Sequence, residues 1–251
     1  MLNKKREDIS PKHAMVLAAG LGLRLRPITN NTPKPLVKVS GKALLDHTLD
    51  RLVAAGVQRA IVNTHYLAEQ IEQHLKNRID IEIIISSEAE NLLETGGGVK
   101  KALQYLGDEP FYICNADVLW LNGPTPALSC INERWDADEM DVLLMLHSTV
   151  EAYGYTGRGD FKIDSRGKLV RKLEREITPY LFTGVEIAHP RIFKNTPDGP
   201  FSLNIIYDKA IKAGRLYGVI HDGEWFHIGT PDGLKEAESY MGQRYSGIRH
   251  R

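Results

Sequence analysis

Ala14–Pro27, with the sequence AMVLAAGLGLRLRP, decides the fold, and Thr32–Leu36, TPKPL, follows it closely. An apolar strand runs into a turn of small residues, and Arg24, Arg26 and Lys34 come soon afterwards. Backbone N–H groups at such a turn bind anions, and nearby cations complete a polyphosphate site. The stretch therefore predicts a nucleotide site at the end of the first strand.

The glycines of this turn separate it from two better-known motifs. Gly20 and Gly22 carry no Cβ, so the backbone can approach phosphate oxygens closely. The dinucleotide fingerprint needs a third glycine where this chain has Leu25, and the P-loop ending Gly-Lys-Ser/Thr is absent. An ordinary βα turn with solvated arginines is the remaining alternative, and the joint presence of Arg24 and Lys34 argues against it.

Composition narrows the class of protein. The 251 residues include 32 Lys plus Arg and 32 Asp plus Glu, a balance that disfavours a broad charged surface for nucleic acid or anionic lipid. No apolar run approaches the ~20 residues of a membrane helix, and the charged start lacks the apolar segment of a signal peptide. Cys114 and Cys130 have neither CxxC nor zinc spacing. We expect a cytoplasmic monomer or small homo-oligomer without nucleic-acid or membrane partners.

Short apolar runs alternate with helical spacing, which predicts an α/β fold with a mostly parallel central sheet. Its strands are expected over His13–Ala18, Arg59–Asn63, Ile81–Ser86, Pro110–Cys114 and Asp141–His147. From about Gly154 the pattern changes to short strands with Gly and Asp turns, typical of a smaller antiparallel extension. Its strands are expected over Asp160–Ile163, Lys168–Leu173 and Tyr180–Ala188.

Helices and boundaries complete the predicted organisation. The clearest helix begins near Leu44, has one apolar face and stops at Gly56. Two more are expected at Leu203–Ala213 and Pro231–Met241. Residues 1–12 are expected to be a flexible extension, and 13–251 a single domain.

Asp117 is the second predicted part of the site. Ligands of open α/β sheets bind beyond the carboxyl ends of the strands, and both Gly20 and Asp117 directly follow strand candidates. The two should therefore face each other. A carboxylate at the end of the apolar run Phe111–Ala116 indicates a cation site, and a solvated acid that caps the next segment is the alternative.

These residues resemble the sugar-1-phosphate nucleotidyltransferases, whose signature is Gly-x-Gly-x-Arg-Leu-x-Pro followed by Pro-Lys-Pro-Leu. The resemblance continues through Leu93–Val99 (LETGGGV), Asn115–Asp117 (NAD), Gly157–Phe161 (GRGDF), Phe182–Val185 (FTGV) and Trp225–Thr230 (WFHIGT). It implies a single Rossmann-like nucleotidyltransferase domain whose antiparallel extension covers the sugar. Within the family, Glu94–Gly98 and Gly157–Phe161 are most similar to the bacterial N-acetylmuramate-1-phosphate uridylyltransferases of peptidoglycan recycling.

The family resemblance implies a reaction in which a sugar-1-phosphate oxygen attacks the α-phosphorus of a nucleoside triphosphate, giving a nucleotide-sugar and pyrophosphate. A phosphate nucleophile is already ionised, so no activated Ser, Cys or His is needed. Catalysis would then rest on Arg24, Lys34 and Asp117, with Mg²⁺ on Asp117. The resemblance assigns the nucleotide to Leu17, Ala18, Ala19, Gly20, Gly22, Arg24, Thr95 and Gly96, and the sugar to Asn115, Gly157, Asp160, Glu174, Thr183 and Gly184.

Two of these assignments have plain structural alternatives. The glycines and the Thr hydroxyl of Thr95–Gly98 suit edge-on hydrogen bonding to a pyrimidine, but they would equally suit a glycine-rich helix start. The residues assigned to the sugar are also of the types that form turns and hairpins.

The resemblance fails at one position. The family pattern near the C-terminus is Trp-x-Asp-x-Gly-Thr, with the Asp as second metal ligand, whereas this chain has His227 there. Mg²⁺ prefers oxygen ligands, and imidazole better suits Mn²⁺ or Co²⁺. Either His227 ligates a different ion, or Asp117 and substrate phosphates hold Mg²⁺, or catalysis is impaired. His227 packing beside Trp225 and Phe226 is a further alternative.

Three functional hypotheses follow. The first is an N-acetylmuramate-1-phosphate uridylyltransferase that uses UTP. The second is another sugar-1-phosphate nucleotidyltransferase, chiefly a mannose-1-phosphate guanylyltransferase, because the same phosphate machinery would serve both. The third, motivated by His227, is a nucleotide-sugar-binding protein with little turnover.

Overall fold

Strands and α-helices alternate along residues 10–246, the part of the chain that the computed structural model describes. The strands are β1 (His13–Leu17), β2 (Lys38–Val39), β3 (Lys42–Ala43), β4 (Arg59–Thr64), β5 (Glu82–Ser87), β6 (Phe111–Asn115), β7 (Val118–Trp120), β8 (Val142–Ser148), β9 (Phe161–Ile163), β10 (Leu169–Arg171), β11 (Tyr180–Ala188), β12 (Leu216–Ile220) and β13 (Trp225–His227). The helices are α1 (Leu44–Ala54), α2 (Ala68–Leu75), α3 (Glu94–Leu106), α4 (Ala127–Arg134), α5 (Asn204–Lys212) and α6 (Pro231–Ser246).

The central sheet has a parallel core and an antiparallel flank. β1 pairs in parallel with β4 and β6, and β5 extends this region beyond β4. β11 runs antiparallel to β6, β8 and β9, and β10 pairs with β9 as a hairpin. The predicted α/β fold, with a mostly parallel central sheet and a smaller antiparallel extension, is confirmed. The predicted strand boundaries lie within two residues of the observed ones, and Tyr180–Ala188 has the predicted bounds.

α1 confirms the clearest helix of the sequence. Leu45, Leu49 and Leu52 are fully buried and pack in the same core cluster as the side chains of β1 and β4. Burying a leucine completely contributes about 1.5–3 kcal/mol relative to leaving it exposed. Gly56, at φ +81°, takes the left-handed conformation just after the helix, as the sequence predicted. α1 therefore supports the sheet and takes no part in the site.

The predicted N-terminal extension lies mostly outside the described residues, which begin at Ser10. At its end, the Lys12 carbonyl accepts a hydrogen bond of 2.8 Å from the backbone N–H of Gln58, so this end of the extension is tied to the sheet. The single domain over 13–251 remains a prediction. Over residues 10–246, no helix combines the length and apolar character needed to cross a membrane.

Glu186 of β11 is a charged side chain inside the core. It is 1% exposed, and neither carboxylate oxygen has a hydrogen-bond partner among the described residues. Burial raises the pKa of Glu186 to about 8, and the nearby Tyr207 hydroxyl, which lies outside hydrogen-bond geometry, offsets only part of this rise. The folded protein should therefore hold this carboxyl group protonated at neutral pH.

We expect Glu186→Gln to stabilise the protein more at pH 8 than at pH 5. The folded-state pKa of Glu186 lies above the unfolded value, so the unfolded chain releases this proton first. Stability therefore falls as pH rises from the unfolded pKa towards about 8, by at most about 1.4 kcal/mol per pH unit. Glutamine removes this dependence. Melting temperatures at both pH values test it, with exposed Glu133→Gln as control, and a pH-independent difference would contradict it.

Candidate functional site

A cavity of about 450 Å³ opens at the carboxyl ends of β1, β4 and β6. This is where the crevice rule for open α/β sheets places a ligand. It is lined by Leu17, Ala18, Ala19, Gly20, Gly22, Leu23, Arg24, Lys34, Pro35, Asn63, Leu92, Glu94, Thr95, Asn115, Asp117 and Gly229. The structure thus brings together all three predicted catalytic residues and seven of the eight predicted nucleotide-binding residues.

The two glycines of the turn after β1 are required for different reasons. Gly22 is at φ +63°, and a Cβ there would lie 3.1 Å from the side chain of Thr29. The Thr29 hydroxyl donates to the Gly22 carbonyl at 2.7 Å and fixes the turn. Gly20, in contrast, has no atom within 4 Å of an added Cβ, so its open side faces free space in the cavity wall. Packing requires Gly22, whereas only the approach of a ligand would require Gly20.

Lys34 and Asp117 form an ion pair at the base of the cavity. The Lys34 Nζ lies 2.7 Å from an Asp117 carboxylate oxygen, and the side chains are 9% and 39% exposed. Lys34 lies in the short 3-10 turn Lys34–Leu36, while Asp117 follows β6, so the contact joins segments 83 residues apart. Partial burial strengthens the attraction, and the exposed part of the carboxylate faces the cavity. Gly20 and Asp117 line the same cavity, as the sequence predicted.

Arg24 is the exposed cation of the site. It lies in the 3-10 turn Leu23–Leu25, which the fully buried Leu25 anchors in the core. This leaves the guanidinium on the cavity side with its charge available to an anion. Arg24 and Lys34 bring two positive charges to the side of the cavity that carries the glycine turn, and this side suits a polyanion.

His227 lies at the edge of this cavity. β13 pairs with β7 so that His227 is opposite Val118, the neighbour of Asp117. Burial lowers the pKa of His227, and the charges of Lys34 and Arg24 lower it further, while Asp117 acts in the opposite direction. An added Cβ at Gly229, which lines the cavity, would lie 2.1 Å from His227 Nε2. The ring is therefore close to the charged groups of the site.

His227 also packs against aromatic side chains, as the alternative interpretation of the sequence predicted in part. Its ring stacks on Trp225 at a centroid distance of 6.0 Å and meets Tyr155 edge-on at 6.4 Å. Over residues 10–246, no three His, Cys, Asp or Glu side chains are grouped so that they could hold a metal ion. Asp117 and His227 are therefore a pair of candidate ligands and not part of a group of three within the described residues.

The glycine-rich segment is a helix start, the alternative to a base contact that the sequence left open. α3 begins at Glu94, and the N–H groups of Gly96 and Gly97 both donate to the Phe201 carbonyl, at 2.8 and 3.0 Å. A Cβ on Gly96 would lie 2.4 Å from the Phe201 ring. These glycines exist because the chain around Phe201 packs directly on the helix, and Gly96 does not line the cavity. Thr95 does, although its hydroxyl accepts from the Leu203 N–H.

Of the six residues assigned to the sugar, the structure places only Asn115 in the cavity lining. Gly184, at φ +84°, lies behind it, since a Cβ there would be 2.8 Å from Asn115 Nδ2. Thr183 is fully buried and its hydroxyl donates to the Met145 carbonyl at 2.8 Å. An Asp160 carboxylate oxygen accepts from the Phe182 N–H at 2.9 Å. Both side chains therefore stabilise strands rather than line the cavity.

The last two of the six lie in turns, as their residue types allowed. A Cβ on Gly157 would collide with the Tyr155 ring at 2.3 Å, so this glycine serves close packing. Glu174 is exposed in the turn after β10. Sequence reasoning took these residues from the family pattern, which does not distinguish a ligand contact from the packing that supports a loop.

Asn63 is a lining residue that the sequence analysis missed, and Glu88 is its buried partner. Asn63 Oδ1 accepts from the Ala18 N–H at 2.7 Å, and its Nδ2 donates to Glu88 at 2.7 Å. Asn63 lies near the carboxyl end of β4, next to β1. The rule that selected Gly20 and Asp117 would have selected it too.

The comparisons with known proteins identify the family of this chain. A family model described as nucleotidyl transferase matches residues 13–244. N-acetylmuramate alpha-1-phosphate uridylyltransferase of Caulobacter vibrioides is 45% identical over 93% of this chain and 98% of its own length. Mannose-1-phosphate guanylyltransferase catalytic subunit beta of Drosophila pseudoobscura pseudoobscura is more distant, at 30% over 87% of this chain and 59% of its own.

A solved structure, HddC from Yersinia pseudotuberculosis complexed with GMP-PN, superposes with a TM-score of 0.74 at 25% identity, covering 92% of this chain and 99% of its own. Sequence and fold therefore agree along nearly the whole chain. The chain belongs to the nucleotidyl transferase family, and it is a sugar-1-phosphate nucleotidyltransferase.

Proposed function

We propose that this chain transfers the uridylyl group of UTP to N-acetylmuramate α-1-phosphate and releases pyrophosphate. The observation that carries the proposal is the end-to-end similarity to the Caulobacter enzyme of that name. The cavity supports it, because Arg24, Lys34 and the glycine turn converge on a space suited to a triphosphate. In this role the protein would be cytoplasmic, a monomer or small homo-oligomer, and would recycle peptidoglycan sugars.

The proposed step forms a bond between a sugar-phosphate oxygen and the α-phosphorus of UTP. The bond from that phosphorus to the oxygen bridging the α- and β-phosphates breaks, and the oxygen leaves on pyrophosphate. The nucleophile is ionised at neutral pH, so the protein's task is orientation and charge stabilisation. Lys34 contacts oxygens at the reacting centre, Arg24 neutralises the leaving pyrophosphate, and the turn Ala19–Gly22 binds the chain of phosphates.

Nucleotidyl transferases generally use divalent metal ions, and the residues present fit one. Asp117 provides a partly exposed carboxylate on the cavity surface, and His227 provides an imidazole beside it. Such a set suits an ion that takes its other ligands from substrate phosphates and water. When bound, the ion would neutralise phosphate charge and link the two substrates. We propose Mg²⁺, with Mn²⁺ or Co²⁺ as alternatives because of His227.

The uracil and the sugar would occupy opposite ends of the cavity. Leu92, Glu94 and Thr95 form the wall at the start of α3, where we place the nucleoside. Asn115, held in place by the space that Gly184 leaves, would contact the sugar phosphate. The antiparallel extension that carries β9 and β10 would cover the sugar.

Pyrophosphate release with UTP, GTP, CTP and dTTP, each paired with a panel of sugar-1-phosphates, tests the proposal. We expect kcat/KM for UTP with N-acetylmuramate-1-phosphate to exceed that of every other pair by at least ~10-fold, since a compact pocket rejects the larger purine. A higher value for GTP with mannose-1-phosphate would make the protein a guanylyltransferase. Binding of nucleotide-sugar without turnover would make it a binding protein.

A further inference from the structure

A continuous chain of hydrogen bonds runs beneath the nucleotide end of the cavity. The Ala18 N–H donates to Asn63 Oδ1 at 2.7 Å, and Asn63 Nδ2 donates to one Glu88 oxygen at 2.7 Å. The second Glu88 oxygen accepts from the Leu93 N–H at 2.8 Å. One carboxylate thus connects the turn after β1 to the segment that begins α3.

This hydrogen-bond chain is buried and tightly enclosed. Asn63 and Glu88 are each 2% exposed. The Glu88 backbone is fixed as well, because its N–H donates to the Thr64 carbonyl and its carbonyl contacts His65 Nδ1, both at 2.8 Å. A Cβ on Gly98 would lie 2.8 Å from Glu88 and 2.9 Å from Asn63 Nδ2, so this position must be glycine for the contact to exist.

Both ends of this hydrogen-bond chain lie in walls of the cavity. Ala18 lines it on the side of the glycine turn, while Leu92 and Glu94, which flank Leu93, line it on the side of α3. A shift at Glu88 would therefore change the width of the space between the two walls. A packing role alone would not require the bonds to end at backbone N–H groups on opposite sides of a ligand cavity.

We propose that Glu88 and Asn63 are positioning residues that set the separation of the two walls of the nucleotide subsite. Neither transfers a group or a proton. Their effect is to hold the turn and the start of α3 at the spacing a nucleotide needs before it binds, which reduces the ordering cost of binding. The inference rests on the proposed function in one respect: it takes the ligand of this cavity to be a nucleoside triphosphate.

The donor-to-acceptor direction of these hydrogen bonds makes a sharp test possible. Two donors, Asn63 Nδ2 and the Leu93 N–H, point at the Glu88 carboxylate, so Glu88→Gln leaves one donor facing another. Turning the Asn63 amide only moves the conflict to the Ala18 N–H. Asn63→Asp instead places two carboxylates against each other, which is worse.

The double variant Asn63→Asp/Glu88→Gln restores every bond with the polarity of the middle one reversed. The carboxylate introduced at position 63 would accept from the Ala18 N–H and from the amide introduced at position 88. The oxygen of that amide would accept from the Leu93 N–H. Net charge and side-chain size are nearly unchanged. Rescue by this variant therefore depends on the hydrogen-bond chain itself and on nothing else in the two side chains.

We expect Glu88→Gln to raise KM for UTP at least tenfold while KM for the sugar phosphate and kcat change less than threefold. Asn63→Asp should be more severe, and the double variant should recover to within about threefold of wild type. Glu90→Gln, an exposed glutamate in the same loop, is the matched control and should behave as wild type. A purely structural role would lower the melting temperature and leave the ratio of the two KM values unchanged.

Amide hydrogen exchange in the ligand-free protein gives a readout independent of turnover. Glu88→Gln should accelerate exchange at Ala18 and Leu93, and the double variant should restore protection. Wild-type KM values and unchanged exchange in Glu88→Gln, or failure of the double variant to rescue either, would overturn the inference. If the wild type itself turns over no nucleotide, the proposed function fails, whereas the exchange data still decide whether the chain fixes the two walls.

Discussion

Lys34→Met is expected to lower kcat about 10²- to 10³-fold with little loss of stability, because it removes a charge that serves the developing transition state. Methionine keeps the apolar stem that packs against the glycine turn, where an added Gly22 Cβ would lie 3.2 Å from Lys34 Cβ. The variant also leaves Asp117 without its ion-pair partner. Since that carboxylate is 39% exposed, water replaces part of what it loses.

Arg24→Ala should give a loss of similar size for a different reason. Arg24 is exposed and lines the cavity, so we expect its loss to remove mainly charge that faces the phosphates. Pyrophosphate release and thermal melting of Lys34→Met, Lys34→Ala and Arg24→Ala test the pair of roles. Lys42→Ala, which removes an exposed lysine paired with Asp50, is the control. Near-wild-type turnover in all three site variants would show that the cavity is not where the phosphates react.

The parts of the site that the sequence predicted are those for which local chemistry suffices. A glycine turn after an apolar strand, cations close behind it and an acid at the end of a second strand each have few uses other than binding an anion or a cation. Parallel strands end at one edge of a sheet, and Gly20 and Asp117 meet because β1 and β6 are adjacent parallel strands. The structure confirms the sheet and places both residues in one cavity.

Residues whose role depends on a distant partner escaped prediction. Glu88 looks like any acid in a polar loop until Asn63 and Leu93 are folded against it. Gly96 looked like a ligand contact because nothing in the sequence indicated that Phe201, 105 residues later, would pack on it. Thr183 was likewise assigned to the sugar although its hydroxyl is bonded within the sheet. Each of these residues takes part in a long-range contact, which composition and periodicity do not encode.

The pairing of β13 with β7 is the long-range contact with the greatest consequence for chemistry. It brings His227 beside Asp117 across more than 100 residues of chain. A sequence pattern marks His227 as unusual, but only the strand pairing makes it a neighbour of the first metal-ligand candidate. Stacking on Trp225 and the edge-on contact with Tyr155 then limit the orientations of the ring.

His227→Asp is expected to tighten Mg²⁺ binding in the presence of UTP and to raise Mg²⁺-dependent turnover about tenfold. Aspartate at this position adds an oxygen donor and a negative charge next to Asp117, and Mg²⁺ prefers both to imidazole. The wild type should accordingly work better with Mn²⁺ or Co²⁺ than with Mg²⁺. Titrations of Mg²⁺ and Mn²⁺ against turnover, together with calorimetric binding of each ion to the UTP complex, measure the preference.

His227→Ala separates ligation from packing. If the ring only fills space beside Trp225, alanine and aspartate should change stability alike and leave the preference between the two ions as in the wild type. If the ring ligates, alanine should weaken Mn²⁺ binding while aspartate shifts the preference towards Mg²⁺. Because the two substitutions lose the same aromatic contact, their difference reports the carboxylate donor together with its charge. Identical metal dependence in all three proteins would remove His227 from the site and leave Asp117 as the protein ligand.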